Sequence, residues 1–119
     1  MRDRKARGGD IAARLLELGA AAVGIAEALP ESAVGRHIGL QVVRSATSAG
    51  ANYQEARHAE SRADFIHKIG VAAKELGETL YWLRLIDRLP SLPSADHVVR
   101  ECDELIAILV ASVRTARSR

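Results

Sequence analysis

Apolar residues return along the first part of the chain at steps of four, three, four, three and four: Ile11, Leu15, Leu18, Ala22, Ile25 and Leu29. That rhythm lays one stripe along a helix. Asp10 offers a capping oxygen ahead of the stripe and Pro30 stops it, which predicts a first helix over about residues 10–28. A second helix is expected over about 33–58. Its inward positions are Ile38, Val42, Ser45, Ala49, Asn52 and Ala56, so apolar character fades along it, and a polar stripe of Gln41, Arg44, Ser48 and Glu55 runs alongside. Ser61, with Asp64 three residues later, opens a third helix over about 62–88, striped by Phe65, Ile69, Ala72, Leu76, Leu80 and Leu83. The turn Leu89-Pro-Ser-Leu-Pro-Ser94 precedes a fourth, over about 95–114, with a Ser94 cap and Val98, Cys102, Leu105, Leu109 and Val113 on one side.

No segment alternates with the period of a strand. Short connections between long helices favour antiparallel neighbours. The expected fold is an all-α, up-down-up-down four-helix bundle, a single domain over residues 1–119. Four such helices bring the C-terminus back to the end where the chain begins.

Composition changes this picture in two respects. Alanine supplies 21 residues while Phe, Trp and Tyr together supply four, so the core rests on Leu, Ile and Val with close helix approach. Gly19 and Gly24 in the first helix, and Gly35 and Gly39 in the second, are further places for close approach. The net charge of +2 conceals a segregation. Arg2, Arg4, Lys5 and Arg7 crowd the first residues, and Arg114, Arg117 and Arg119 the last, against Asp3 alone. The two tails, 1–9 and 114–119, would thus place a basic patch at one end of a mildly acidic body. No apolar run is long enough for a spanning helix, and the single cysteine, Cys102, has no internal partner, so a cytoplasmic location without membrane association is expected.

The candidate chemistry lies on the second helix and in the tails. Buried polar groups are costly unless paired. The face carrying Gln41, Arg44, Ser48, Asn52 and Glu55 is therefore expected to form a hydrogen-bond network with another helix or another copy of the chain; a plainly solvated face is the alternative. The tails suit phosphate backbones without sequence preference, or serve only as solubilising ends, and no aromatic residue is there to stack bases. Glu55-x-x-His58 has the spacing of carboxylate-bridged metal bundles. Asp64-x-x-His67 lies across the turn, and Glu17, Glu101 and Glu104 are the remaining carboxylates for such a site. Against this, the His-bearing pairs sit near helix ends, so no metal and no cofactor are expected, and His37 and His97 read as surface residues. Tyr81 and Trp82 are adjacent and cannot both face one core; Trp82 is taken as the aromatic of a subunit contact. No phosphate-cradling loop, nucleophile elbow or zinc-finger spacing occurs, and no enzymatic activity is expected.

The residues Gln41, Arg44, Ser45, Ala46, Ser48, Asn52 and Glu55, then Ser61, Asp64 and Phe65, then Glu75, Leu76, Glu78, Thr79 and Leu80, resemble the pattern of the 23S rRNA intervening-sequence protein family. The match is good over about residues 29–88; helices 1 and 4 fit by length and periodicity. The resemblance implies a left-handed four-helix bundle assembling into a ring-like homopentamer without established catalytic activity. Some relatives are encoded within rRNA insertions. Others resemble the accessory variability determinant proteins of diversity-generating retroelements, which bind nucleic acid and associate with a reverse transcriptase. A homo-oligomeric scaffold contacting RNA, DNA or a nucleoprotein is therefore the expected role, with a purely protein-binding assembly module, or a carboxylate and histidine metal-binding bundle, as the alternatives.

Overall fold

The computed structural model of the protein describes residues 2–90, 92 and 94–119, with side chains from Gly8 onward. Four helices follow in order: α1 (Arg2–Ala28), α2 (Ala33–Arg57), α3 (Arg62–Asp87) and α4 (Asp96–Arg117). Each packs on the next, α4 returns to α1 along a sparser seam, and the diagonal pairs stand farther apart across the core. The result is an elongated bundle with extents of 47 × 21 × 19 Å. Gly8 of α1 lies beside Tyr53 and Arg57 at the end of α2, while Arg62 at the start of α3 reaches the backbone of Ala116 and Arg119. Both chain ends therefore stand at one end of the bundle, as the parity of four helices requires.

The helix starts obey local capping physics at two of the three turns. Ser32 Oγ accepts the Gly35 N–H at 3.1 Å, and Ser61 Oγ accepts the Asp64 N–H at 3.0 Å, each satisfying a donor that the first helical turn leaves free. The first turn also fixes Gly35. A Cβ there would fall 1.9 Å from the Pro30 carbonyl oxygen, so only glycine allows this close approach.

Four expectations need correcting. The first helix does not start at Asp10: α1 runs back to Arg2. Arg, Lys and Ala are good helix formers, and the last turn of α2 flanks α1 at Gly8. Likewise α4 continues to Arg117 and not only to about residue 114, which places Arg114 and Arg117 in its last turn, where cations complement the helix dipole. Ser94 is not the cap of α4. That position belongs to Ala95, whose N–H is taken by Asp87 Oδ1 at 2.8 Å, while Ser94 Oγ accepts the Asp96 N–H at 3.2 Å.

The core is a column of Leu, Ile and Ala with Leu15, Val42, Ile69, Leu76 and Leu105 at its centre. On α2 the fourth correction appears. Asn52 is only half-buried, and the neighbouring Tyr53 packs into the core instead, so apolar contact persists to the end of α2. Burial pushes the Tyr53 phenol above its ordinary range. Cys102 is fully buried, with Sγ 3.3 Å from the Leu76 carbonyl oxygen, and burial pushes its thiol up to about 12. Among the described residues no helix is long and apolar enough to cross a membrane.

Candidate functional site

The polar stripe of α2 faces α3, and most of it finds partners inside the protomer. At its base, Ser45 and Thr79 bury their hydroxyls completely, 2.7 Å apart. Ser45 Oγ also reaches the Gln41 carbonyl at 2.9 Å, and Thr79 Oγ1 the Glu75 carbonyl at 2.9 Å. With two protons for three acceptor contacts, one hydroxyl donates to the other and the second donates to backbone, so neither is stranded. Above them Arg44 Nη2 donates to Gln41 Oε1 at 3.0 Å and stands 4.0 Å from Glu78 Oε1. Further along, Asn52 Nδ2 donates to the Ser48 carbonyl at 2.9 Å and to Ser48 Oγ at 3.2 Å. The stripe ends in an ion pair between Glu55 and Lys68.

One group is left over. Glu75 Oε1 is buried with no hydrogen-bond partner among the described residues. Burial first, and then the neighbouring Glu78 carboxylate, raises the Glu75 carboxyl above the ordinary range; Arg44 and Lys74 oppose the shift. Glu75, Glu78 and Lys68, the α3 half of this seam, carry no signal in the α2 pattern. Glu75 and Glu78 stand in the family pattern, but their pairing with α2, and the part played by Lys68, come from the tertiary structure.

The basic end is richer than the chain termini alone. Arg57 closes α2 and Arg62 opens α3, so both join Arg114, Arg117 and Arg119 around one end of the bundle. Arg62 lies against the last carbonyls of α4, a contact that suits the negative end of a helix dipole. Arg2, Arg4, Lys5 and Arg7 belong to the α1 turns at this same end, and their side chains lie outside the described residues. The opposite end mixes Glu27, Glu31, Asp87 and Asp96 with Arg36, Arg88 and Arg100. Sequence reading missed Arg57 and Arg62 because they are distant from the termini along the chain.

Four of the five carboxylates considered for a metal are engaged elsewhere. Glu55 takes Lys68. Glu101 and Glu104 both grip Arg14, which donates from Nε and Nη2 at 2.7–2.9 Å, and Arg14 holds Glu101 below the usual carboxylate range. His58 lies beside Gln54, and Asp64 Oδ2 accepts the Glu60 N–H. His67 and Glu17 point outward. No group of three His, Cys, Asp or Glu suited to a metal ion occurs among the described residues. For the aromatic pair, Trp82 is half-buried, edge-on to His37 with centroids 5.6 Å apart. The more exposed member is Tyr81, while Trp82 keeps part of its surface open.

The sequence matches the model of the 23S rRNA-intervening sequence proteins over residues 10–111, a span that includes the seam residues. The chain belongs to that family. A crystal structure of a protein of unknown function from the S23 ribosomal protein family of Bacteroides thetaiotaomicron superposes with a TM-score of 0.79 at 32% identity, over 87% of this chain and 97% of that one. No curated protein is significantly similar to the chain. The family match includes the whole α2–α3 seam, together with Arg57 and Arg62. Arg2, Arg4, Lys5, Arg7, Arg114, Arg117 and Arg119 all fall outside it.

Proposed function

We propose that this member of the family is a cytoplasmic, non-enzymatic, homo-oligomeric scaffold, a ring of five copies, whose basic end binds RNA or DNA, free or within a nucleoprotein such as a reverse-transcriptase complex. The observation that carries this reading is the convergence of both termini with Arg57 and Arg62 at one end of the bundle. Seven basic residues against Asp3 in the tails give +6 per protomer, and a ring multiplies that about fivefold on one face, a potential suited to phosphate backbones. The family name, which refers to a 23S rRNA intervening sequence, agrees with a nucleic-acid setting.

The test is binding of random-sequence RNA and DNA across a salt series. Affinity is expected to fall steeply with salt, and each lost phosphate contact to lower the slope of log K against log salt by about 0.7–0.9. Removing residues 1–7 and replacing Arg114, Arg117 and Arg119 with Gln is expected to abolish binding while leaving the bundle folded. Unchanged affinity in that variant overturns the nucleic-acid reading. A protein-binding assembly module is the second reading, favoured by the exposed apolar residues Leu16, Leu40 and Tyr81; oligomers without salt-sensitive nucleic-acid binding would select it.

A further inference from the structure

Gly70, Lys74, Gly77, Tyr81, Arg84 and Arg88 follow one another along α3 at steps of four, three, four, three and four, and all six are exposed. That spacing is one helix face, about 27 Å long at 1.5 Å per residue. It carries three cations and no acid. The acids nearby are turned away or loosely held. Asp87 gives Oδ1 to the Ala95 N–H at 2.8 Å, and Glu78 faces Arg44 of α2. Asp103 of α4 stands 3.5 Å from Arg84 with both side chains more than half exposed, a pair that water weakens. The outer faces of the outer helices differ. On α4 the signs alternate through Asp96, Arg100 and Asp103, and on α1 the exposed Asp10, Glu17 and Glu27 are all acidic.

The same face holds a braced aromatic ring. Tyr81 is 61% exposed. It meets the half-buried Trp82 edge-to-face, with centroids 5.0 Å apart at 81°, and Trp82 meets His37 in turn at 5.6 Å. Beside the ring lies a shallow groove of about 350 Å³ lined by Gly77, Leu80, Tyr81, Arg84, Leu85 and Arg88. Its leucines are half-buried and its two arginines exposed, so an apolar floor has a cationic rim. Arg84 and Arg88 are spaced about 6 Å along the helix axis. A Cβ at Gly77 would meet nothing within 4 Å. Glycine weakens a helix interior, and no contact inside the protomer calls for it there. Its bare backbone leaves room for a flat group against Tyr81.

We infer that this face is a track for single-stranded nucleic acid: one base stacks on Tyr81 over the groove, and the flanking phosphates pair with Lys74, Arg84 and Arg88. The inference rests on the nucleic-acid reading above and adds to it a second surface and a preference for unpaired strands. Because α3 begins at the basic end with Arg62, a strand held there runs on along α3 toward Arg88. Stacking needs an open base face, which a duplex shows only at its ends and a single strand shows at every base. A positive groove with an aromatic wall binds such strands without reading sequence. An acidic polypeptide would meet the three cations but has no flat group for Tyr81 and Gly77. The more heavily charged basic end supplies most of the affinity, and the track supplies the strand preference.

Fluorescence anisotropy with the full chain tests this, using an oligothymidylate strand and a duplex hairpin of equal nucleotide count. Wild type is expected to bind the strand more tightly than the hairpin. Tyr81→Leu keeps an apolar side chain without the ring; it is expected to weaken strand binding about 5- to 150-fold and leave hairpin binding unchanged, whereas Tyr81→Phe retains strand binding. Lys74→Gln, Arg84→Gln and Arg88→Gln together are expected to flatten the strand's slope of log K against log salt by about 2. All four positions are exposed, and circular dichroism melts confirm that the variants fold. Equal affinity for strand and hairpin, wild-type strand binding by Tyr81→Leu, or an unchanged salt slope in the triple variant overturns the track and leaves the basic-end reading standing. Displacement of the strand by polyglutamate as effectively as by polyuridylate also overturns it, in favour of an acidic protein partner. Binding of neither nucleic acid by wild type removes both readings.

Discussion

Across the α2–α3 seam two hydroxyls are buried against each other, a guanidinium bridges Gln41 and Glu78, and Glu75 is left with a buried oxygen unpaired. Across the α1–α4 seam contact is sparse, and Arg14 reaches over to hold Glu101 and Glu104. The first seam buries its Ser45–Thr79 contact beneath the surface, where geometry is strict and a missing partner is costly, and leaves Arg44 and Glu78 about half exposed above it. The second makes them at the rim, where solvent weakens each one. The difference teaches that register in this bundle is written between the middle helices, while the outer pair is held by a clasp that water can compete with.

The largest expected effect sharpens the buried side of that contrast. Leu76→Ala removes a fully buried side chain from α3 and should cost about 2–5 kcal/mol in urea denaturation. A loss below 1 kcal/mol would mean that the middle helices are not the stable half. Next, Ser45→Ala deprives Thr79 of its hydroxyl partner while leaving it the Glu75 carbonyl, for about 1–2 kcal/mol. Adding Thr79→Val should then cost less than its effect alone, because the pair acts as a unit. Independent, additive losses would break the claim that the two hydroxyls form one device.

Arg14→Met should cost about 1 kcal/mol or less, because its side chain is one-third exposed. Its signature is local: faster amide exchange in α1 and α4 with α2 and α3 unchanged. Equal acceleration in all four helices would contradict a separable clasp.

The smallest effect is a response to pH with opposite signs at the two seams. Glu75 is raised, so its folded form holds the proton more tightly than the unfolded chain. That stabilisation is complete in acid and is lost as pH rises through the folded value. Glu101 is lowered, so its contribution is present above the unfolded value and is lost as pH falls through the folded one. Glu75→Gln should therefore raise stability at neutral pH and flatten the profile on the acid side of neutrality. Amide protection, corrected for the intrinsic exchange rate, should rise at α2–α3 as pH falls through the raised Glu75 range, and should drop at the α1–α4 seam only in more strongly acidic buffer, below the usual carboxylate range. A parallel response of both seams would show that the carboxylates do not act as placed.

The helices, their order and the meeting of the chain ends were legible because they follow from periodicity, punctuation and parity. The Ser61 cap was legible because its partner is three residues away. Tyr53 was not: the strict α2 stripe points to Asn52, and one residue of rotation, set by packing on α1, brings the tyrosine inward. The start of α1 was hidden because nothing local separates an arginine-rich tail from an arginine-rich helix; the support comes from the far end of α2. Tyr81 and Trp82 could be recognised as divided between core and surface, but not which went where, since that depends on how α3 packs against the other helices. The α2 half of the seam was legible from its periodicity; of the α3 half, Glu75, Glu78 and Thr79 stood out only as positions of the family pattern, and Lys68 not at all.

The thiol of Cys102 carries a practical consequence. At physiological pH almost none of it is thiolate, and its sulfur is enclosed between α3 and α4. Disulfide exchange and alkylation need the anion and a path to it, so a reagent such as an aromatic disulfide becomes a clock for the native lifetime. Its rate would count how often α4 leaves its place, without a label, a tag or a substitution.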